Sequence, residues 1–331
     1  MVNIGPGHAL PVLPIIIGDS PGMLDAVAAA TRVADTTAGV LIQGEPGTGK
    51  ELLARYLHGR GRRRKGPFVA VNCAERAGYS LERELFGIDA QLPQIGKLEA
   101  ADGGTLFLDE VGAMSGAMQA RVLRALEEGA VERLGGERSV PVDVRLVAAG
   151  RLPLERDVTS GRFRRDLYYR LAVIVLTLPP LRERGDDVRM LAEHFVGSFA
   201  FANDRHDLGI ARDTLSLLEA NPWPGNVRQL KETLELATSA AMGPLLLPAD
   251  LPAETRDYAL PFARQIEDAR LLPLEDFERQ QIQSALSMTG GHLGHARQLL
   301  GVSELALRRK LRQYGLVRWE HLAARSTRSM H

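Results

Sequence analysis

The segment Gly44-Glu45-Pro46-Gly47-Thr48-Gly49-Lys50 has residue types that can cradle a chain of phosphates. Glycines let the backbone close around an anion with its N–H groups pointing inward, and a helix that begins there adds a favourable dipole. Lys50 offers a point charge to the outer phosphates. The apolar run Val40-Leu41-Ile42 precedes the loop and the amphipathic run Glu51 to His58 follows it. That order of strand, loop and helix is the one this chemistry requires. A second reactive pair, Asp109-Glu110, ends the apolar run Thr105-Leu106-Phe107-Leu108. Beside a phosphate loop, Asp109 can hold magnesium directly or through water, and Glu110 can orient and polarise an attacking water. Two acids at an ordinary strand end are the plainer alternative, and the loop upstream decides against it. ATP and Mg2+ are the cofactors expected. One position is unusual: the general pattern continues from Lys into Ser or Thr, a magnesium ligand, whereas this chain has Glu51.

The elements that must position these groups can be read from periodicity. Apolar or β-branched runs at Val40–Gln43, Phe68–Val71, Thr105–Leu108, Val144–Ala148 and Val173–Leu178 alternate with helical patterns. Continuous runs of this length suit strands buried on both faces, and their alternation with helices predicts an α/β parallel sheet. After Pro179-Pro180 the strands are expected to stop. Asp186 to about Met242 reads as helices broken at Asn221-Pro222 and Pro224-Gly225, followed by a proline-containing linker and a last helical unit from Leu274 to Leu316.

Composition narrows the setting. With 331 residues, the chain can form two or three domains. Its 41 basic and 41 acidic residues balance, but their distribution does not. From Met288 onward, Arg297, Arg308, Arg309, Lys310, Arg312, Arg318, Arg325 and Arg328 face only Glu304 and Glu320, a local basic excess of the kind that meets nucleic acid. Cys73 is the single cysteine, which excludes an internal disulfide and reads as a small buried residue. No apolar stretch is long enough to span a membrane, and Leu13 to Ile17 is too short for a secretion signal. A soluble, cytoplasmic protein without a membrane partner is expected.

Several motifs together resemble the AAA+ module of bacterial enhancer-binding proteins, the activators of sigma-54 RNA polymerase. They are Gly44 through Glu51, Phe68-Val69-Ala70-Val71-Asn72-Cys73, Glu84-Leu85-Phe86-Gly87, Gly103 through Glu110, Phe163-Arg164-Arg165-Asp166-Leu167-Tyr168-Tyr169-Arg170, Pro179-Pro180-Leu181-Arg182-Glu183-Arg184 and Trp223-Pro224-Gly225-Asn226-Val227-Arg228. The similarity runs from about Ile17 to Leu251 and implies a P-loop sheet with a helical lid. It also implies roles: Arg164 and Arg170 resemble arginine fingers that reach a neighbouring subunit's site, Arg228 a lid sensor of its own nucleotide, and Asn72 a restraint on the catalytic Glu110. Ile17 and Gly18 join the phosphate-loop residues as nucleotide contacts. Shared sites imply self-association as a ring, hexamer or heptamer, or as a dimer.

Two segments depart from the family. Its Gly-Ala-Phe-Thr-Gly-Ala loop, which contacts the sigma factor, is absent; the shorter stretch from Ile88 to Asp102 stands in its place. The polar Thr-Asn pair that senses the terminal phosphate is replaced by Gly150-Arg151. Arg151 offers only donors, so slow hydrolysis is expected. Because the AAA+ part begins almost at once, the family's usual N-terminal sensory domain is not expected here.

The last helical unit resembles the Fis-type DNA-binding domain over about Phe277 to Leu316. Phe277, Ile282, Ala285 and Leu286 recur at helical spacing; Leu293–Leu300 forms a short helix with Ala296, Leu299 and Leu300 inward; Gly301-Val302 turns; Ser303 caps Glu304–Gln313. Such a helix-turn-helix places its second helix in the major groove, so Ser303, Glu304, Ala306, Arg308, Arg309, Lys310 and Arg312 are the candidate contacts to double-stranded DNA. The resulting division is an irregular segment 1–16, an α/β nucleotide-binding subdomain 17–184, a lid 185–247, a linker 248–272, an all-α Fis-type unit 273–316 and a basic tail 317–331.

The reading that follows is an ATP- and DNA-binding transcription regulator that has lost direct sigma-54 activation. Its further partner would be a related full-length activator or RNA polymerase. Alternatives are a sigma-54 activator using Leu92-Pro93-Gln94-Ile95 as a substitute loop tip, and an AAA+ protein-remodelling ATPase.

Overall fold

The computed structural model describes residues 13–75, 78–90, 93–151, 153–256, 274–289 and 292–316, with backbone alone for 274–277. The expected segments 1–16 and 248–272 lie largely outside these residues, and 317–331 wholly so. The chain divides into two units, at Arg256/Asp257, each described on its own below.

Five strands form the centre of the first unit: β1 (Val40–Gln43), β2 (Phe68–Asn72), β3 (Thr105–Asp109), β4 (Arg145–Gly150) and β5 (Ile174–Thr177). Their order across the sheet is β2-β3-β4-β1-β5, and every pairing is parallel. Each expected run is a strand; Val40–Gln43 has the expected ends, and the other four shift by one or two residues at one or both ends. Alternate residues serve two cores, because successive side chains point to opposite faces. Leu41, Leu106, Leu108, Leu146 and Ala148 pack with the helices Tyr79–Phe86, Gly116–Glu128 and Arg165–Leu171. Val40, Ile42, Phe107, Val147 and Ala149 pack with Pro21–Val33 and Lys50–Arg60. Burying each large side chain contributes about 1.5–3 kcal/mol before chain entropy is charged against it. The parallel register carries the C-terminal ends of β1, β3 and β4 to one edge, where open α/β sheets bind their ligands.

The lid follows. Helices Asp187–Ala202, Arg212–Ala220 and Asn226–Ala240 surround Trp223, which is fully buried. The Trp223 indole Nε1 donates to the Leu218 carbonyl at 2.7 Å, so the apolar body is buried without orphaning its one donor. The expectation that strands end at Pro180 is corrected here. Gly209–Ile210 pairs in parallel with Leu245–Leu246, a match too short to leave any alternation in the sequence. Leu251 is buried in the same cluster, so lid packing continues beyond residue 247.

In the second unit, helices Leu274–Met288, Leu293–Leu300 and Glu304–Gln313 pack through Ile282, Leu286, Leu293, Ala296, Leu307 and Leu311. Gly301 takes φ +65 at the turn, where glycine carries no Cβ penalty. Ser303 caps the last helix, its hydroxyl accepting from the Ala306 N–H at 3.2 Å. One inward assignment is corrected: Leu299 is 61% exposed. Leu293, Ala296 and Leu300 share one helical stripe at i, i+3 and i+7, and Leu299 falls outside it. The side chain of Phe277 lies outside the described residues.

Candidate nucleotide site and DNA interface

The phosphate loop owes its shape to two left-handed glycines, Gly47 at φ +79 and Gly49 at φ +102. A Cβ on Gly47 would stand 2.2 Å from the Gly225 carbonyl, so close approach as well as backbone conformation requires glycine there. The Gly44 N–H donates to the Gly150 carbonyl at 3.3 Å and anchors the loop to the tip of β4. Thr48 closes the loop from within, its hydroxyl donating to the Glu45 carbonyl at 2.8 Å. Lys50 is buried, with Nζ donating to the Gly44 and Glu45 carbonyls at 3.1 and 3.3 Å. It also meets Glu110 Oε1 at 3.4 Å.

The acidic tip of β3 faces this lysine. Asp109 accepts from the Glu110 N–H at 2.9 Å. Burial pushes its carboxyl above the usual range; Lys50 pulls the other way and Glu110 adds to the rise. A half-buried carboxylate of this kind suits a hard cation such as magnesium, which takes one or two carboxylates and completes its shell with water and phosphate. Glu110 has φ +52, a rare conformation for a residue with a side chain, and Arg151 Nε approaches its Oε2 at 3.5 Å. Cys73 lies beneath, buried, its thiol pushed up to about 12 by burial and by Asp109 and Glu110. A thiolate is therefore disfavoured there, in accord with a packing role.

Around these groups opens a cavity of about 630 Å3. Lys50, Arg55, Arg151, Arg228 and Lys231 line it against Glu51, Asp109 and Glu110, a basic surplus that fits a polyanion. Glu51 is engaged by Arg55 at 2.7 Å. Pro46, Gly47, Gly49 and Asn72 complete much of the wall. Asn72 Nδ2 donates to Glu75 at 3.2 Å, and its Oδ1 accepts from the Ala74 N–H; the groups that meet Glu110 are Lys50 and Arg151.

The lid is tied to the loop by contacts the sequence reading missed. Arg182 binds both oxygens of Glu45 at 2.9 and 2.6 Å. Asn226 donates to Glu45 Oε2 and to the Pro46 carbonyl, and accepts from the Leu181 N–H. Buried Arg184 donates to the carbonyls of Pro179 and Thr48. Burial disfavours its charge and lowers its pKa, with Asp187 opposing. Arg182, Arg184 and Asn226 all sit inside the motifs quoted above, which was the available signal. Ile17 packs partly against the lid cluster. Gly18 abuts Asp187, whose carboxylate accepts from the Asp19 and Ser20 N–H groups and the Ser20 hydroxyl. These two residues brace the lid base and are not on the cavity wall.

Arg164 and Arg170 are exposed and stand away from that wall. Arg164 holds Asp166 through two bonds, at 3.0 and 2.7 Å, and Arg170 reaches the Leu126 carbonyl at 3.4 Å. Within one chain, then, the structure brings together the loop, the acids, Arg151 and Arg228, and leaves these two arginines at the surface.

Where a sigma-contacting loop would rise, Gly87–Ile88 pairs antiparallel with Gln94–Ile95. Ile88 bridges to Leu134. The Asp89 N–H donates to the Leu134 carbonyl, and the Leu134 N–H donates to Gly87, so the hairpin is fastened to the body. The proposed substitute tip, Leu92 to Ile95, falls partly outside the described residues.

In the helix-turn-helix, the basic residues divide by partner. Arg308 is bound to Glu304 at 2.9 Å. Lys310 turns onto Glu278 of the first helix, which also receives the Tyr314 hydroxyl; both contacts hold the Glu278 carboxyl below its usual range. Arg309 and Arg312 are exposed. No helix among the described residues is long and apolar enough to cross a membrane.

Comparison with known proteins agrees with this anatomy. Residues 16–177 match the Sigma-54 interaction domain, 182–263 the AAA+ ATPase lid domain, and 273–314 the Fis family of bacterial regulatory proteins. The chain is 40% identical over 313 residues to the regulatory protein AtoC of Escherichia coli, covering 91% of this chain and 68% of AtoC. To FlbD of Caulobacter vibrioides it is 40% identical over 320 residues, 91% of this chain and 70% of FlbD. Among solved structures, NtrX from Brucella abortus in complex with ATP is similar at 36% identity and a TM-score of 0.68, covering 91% of this chain and 69% of NtrX. The chain belongs to the NtrC family of sigma-54-interacting AAA+ transcription regulators that carry a Fis-type helix-turn-helix.

Proposed function

We propose that this regulator binds ATP with Mg2+ in the cavity between the phosphate loop and the lid, and binds DNA through Glu304–Gln313, without itself driving sigma-54 polymerase to open a promoter. It acts on another polymerase form, or adjusts a complete activator by entering its ring. The observation that carries this reading is the fastened hairpin of Gly87–Ile88 and Gln94–Ile95, from which no extended lever rises among the described residues. Lys50 would hold the outer phosphates, Asp109 would hold the metal, and Glu110 would orient water, while Arg164 and Arg170, exposed on one chain, would complete a neighbour's pocket in a hexamer, heptamer or dimer. Magnesium would add charge neutralisation at the phosphates. Turnover would be slow, because Gly150-Arg151 does not reproduce a neutral polar pair.

The test is open-complex formation with purified sigma-54 polymerase and ATP. No promoter melting by this protein alone, together with a sequence-selective gel shift, is the expected result. Melting by this protein alone would overturn the reading.

A further inference from the structure

We propose that Arg151 is a ligand for the terminal phosphate supplied from within the same chain, parked on Glu110 until a nucleoside triphosphate takes its place. The proposal rests on the nucleotide reading above. Strand β4 runs between β1 and β3, and its last residue, Gly150, gives its carbonyl to the first residue of the phosphate loop. The next residue therefore stands at the cavity mouth, between the loop and the acidic tip. There, a single carboxylate bridges two cations: Glu110 Oε1 lies 3.4 Å from Lys50 Nζ, and Oε2 lies 3.5 Å from Arg151 Nε. All three line the same cavity.

A terminal phosphate beside Lys50 would offer both cations more negative charge than the carboxylate does. The Arg151 side chain is 73% exposed, so its pairing with Glu110 is weak and easily exchanged. Its planar fork matches phosphate oxygens better than a point charge does. A diphosphate ends one phosphate short: it keeps Lys50 and leaves Arg151 on Glu110. Two consequences follow for one isolated subunit. The pocket distinguishes triphosphate from diphosphate without a neighbour, and Glu110 is released toward water only after Arg151 has moved.

The test is calorimetric binding of a non-hydrolysable ATP analogue and of ADP, with Mg2+, to the full chain. Wild type, Arg151→Ala, Arg151→Lys and Glu110→Gln are compared. Arg151→Ala should weaken the analogue by roughly tenfold or more, the size of a lost charge-assisted hydrogen bond, and ADP by less than about twofold. Arg151→Lys should recover part of the difference. Glu110→Gln removes the charge that competes for both Lys50 and Arg151, so both nucleotides should bind tighter, the analogue by the larger factor. Equal losses for both nucleotides in Arg151→Ala, or no loss for either, would overturn the assignment, as would weaker analogue binding in Glu110→Gln. A wild type that binds neither nucleotide would remove the nucleotide reading itself, whereas one that binds both while Arg151→Ala changes nothing removes only this proposal.

Discussion

Arg182 grips both oxygens of Glu45, at 2.9 and 2.6 Å, and so fastens the phosphate loop to the turn beneath the lid. This contact and the Asn226 amide lower the Glu45 carboxyl from its ordinary 4.5 to about 2. A carboxyl whose value falls on folding stabilises the protein fully above its ordinary value, and that share is lost as pH drops through the folded one. The loss should therefore fall between about pH 4.5 and 2. Because the pair is partly exposed, its worth is about 1 kcal/mol or less. In urea titrations across that window, the wild-type advantage over Glu45→Gln should shrink to nothing. A constant difference between the two proteins would exclude the tie as a source of stability.

Glu110→Gln keeps the shape of the side chain and removes its charge. Nucleotide should stay bound, and phosphate release should fall by about a hundredfold or more, the range of a lost general base. Turnover equal to wild type would take Glu110 out of the reaction.

Two neighbouring glycines should respond differently to alanine. Gly49 has open space around its missing Cβ, so Gly49→Ala meets only the left-handed backbone, about 1–2 kcal/mol. Gly47→Ala meets that and the Gly225 carbonyl at 2.2 Å, and must displace the start of the lid helix. Thermal melting of the paired variants checks this, with the larger drop expected for Gly47→Ala. Equal drops would mean that the lid does not press on the loop.

In the DNA-binding unit, Arg309→Ala should weaken DNA binding and flatten its salt dependence by about one counterion, with melting unchanged. Lys310→Ala should instead lower the melting temperature, since it leaves Glu278 without its cation partner. If Lys310→Ala matched Arg309→Ala in both measurements, the inward role of Lys310 would fail.

Much of this molecule could be read from local pattern. The five strands are legible because both sheet faces are buried, which leaves unbroken apolar runs such as Val40-Leu41-Ile42. The phosphate loop and the Ser303 cap are legible because each needs particular residues at fixed spacing. What escaped depends on partners distant in sequence. Nothing near Lys310 announces Glu278, and nothing near Glu45 announces Arg182, since a charged side chain carries no mark of its partner. The strand pair Gly209–Ile210 with Leu245–Leu246 rests on backbone bonds between two residues a side, below the length at which alternation becomes visible. Arg151 stood out in the sequence as an oddity of type; only the fold shows which carboxylate it meets.

Asn226 carries a last implication. One side-chain amide spans the Leu181 N–H, the Glu45 carboxylate and the Pro46 carbonyl, on a residue held at φ +54. Because all of them converge on one planar group, a swivel of the roof over the pocket would strain several of these bonds together. Moving the roof from this seat would give up its hydrogen bonds to the loop and to the Leu181 turn together. The seat of the roof and the shape of the phosphate loop are thus coupled through one side chain.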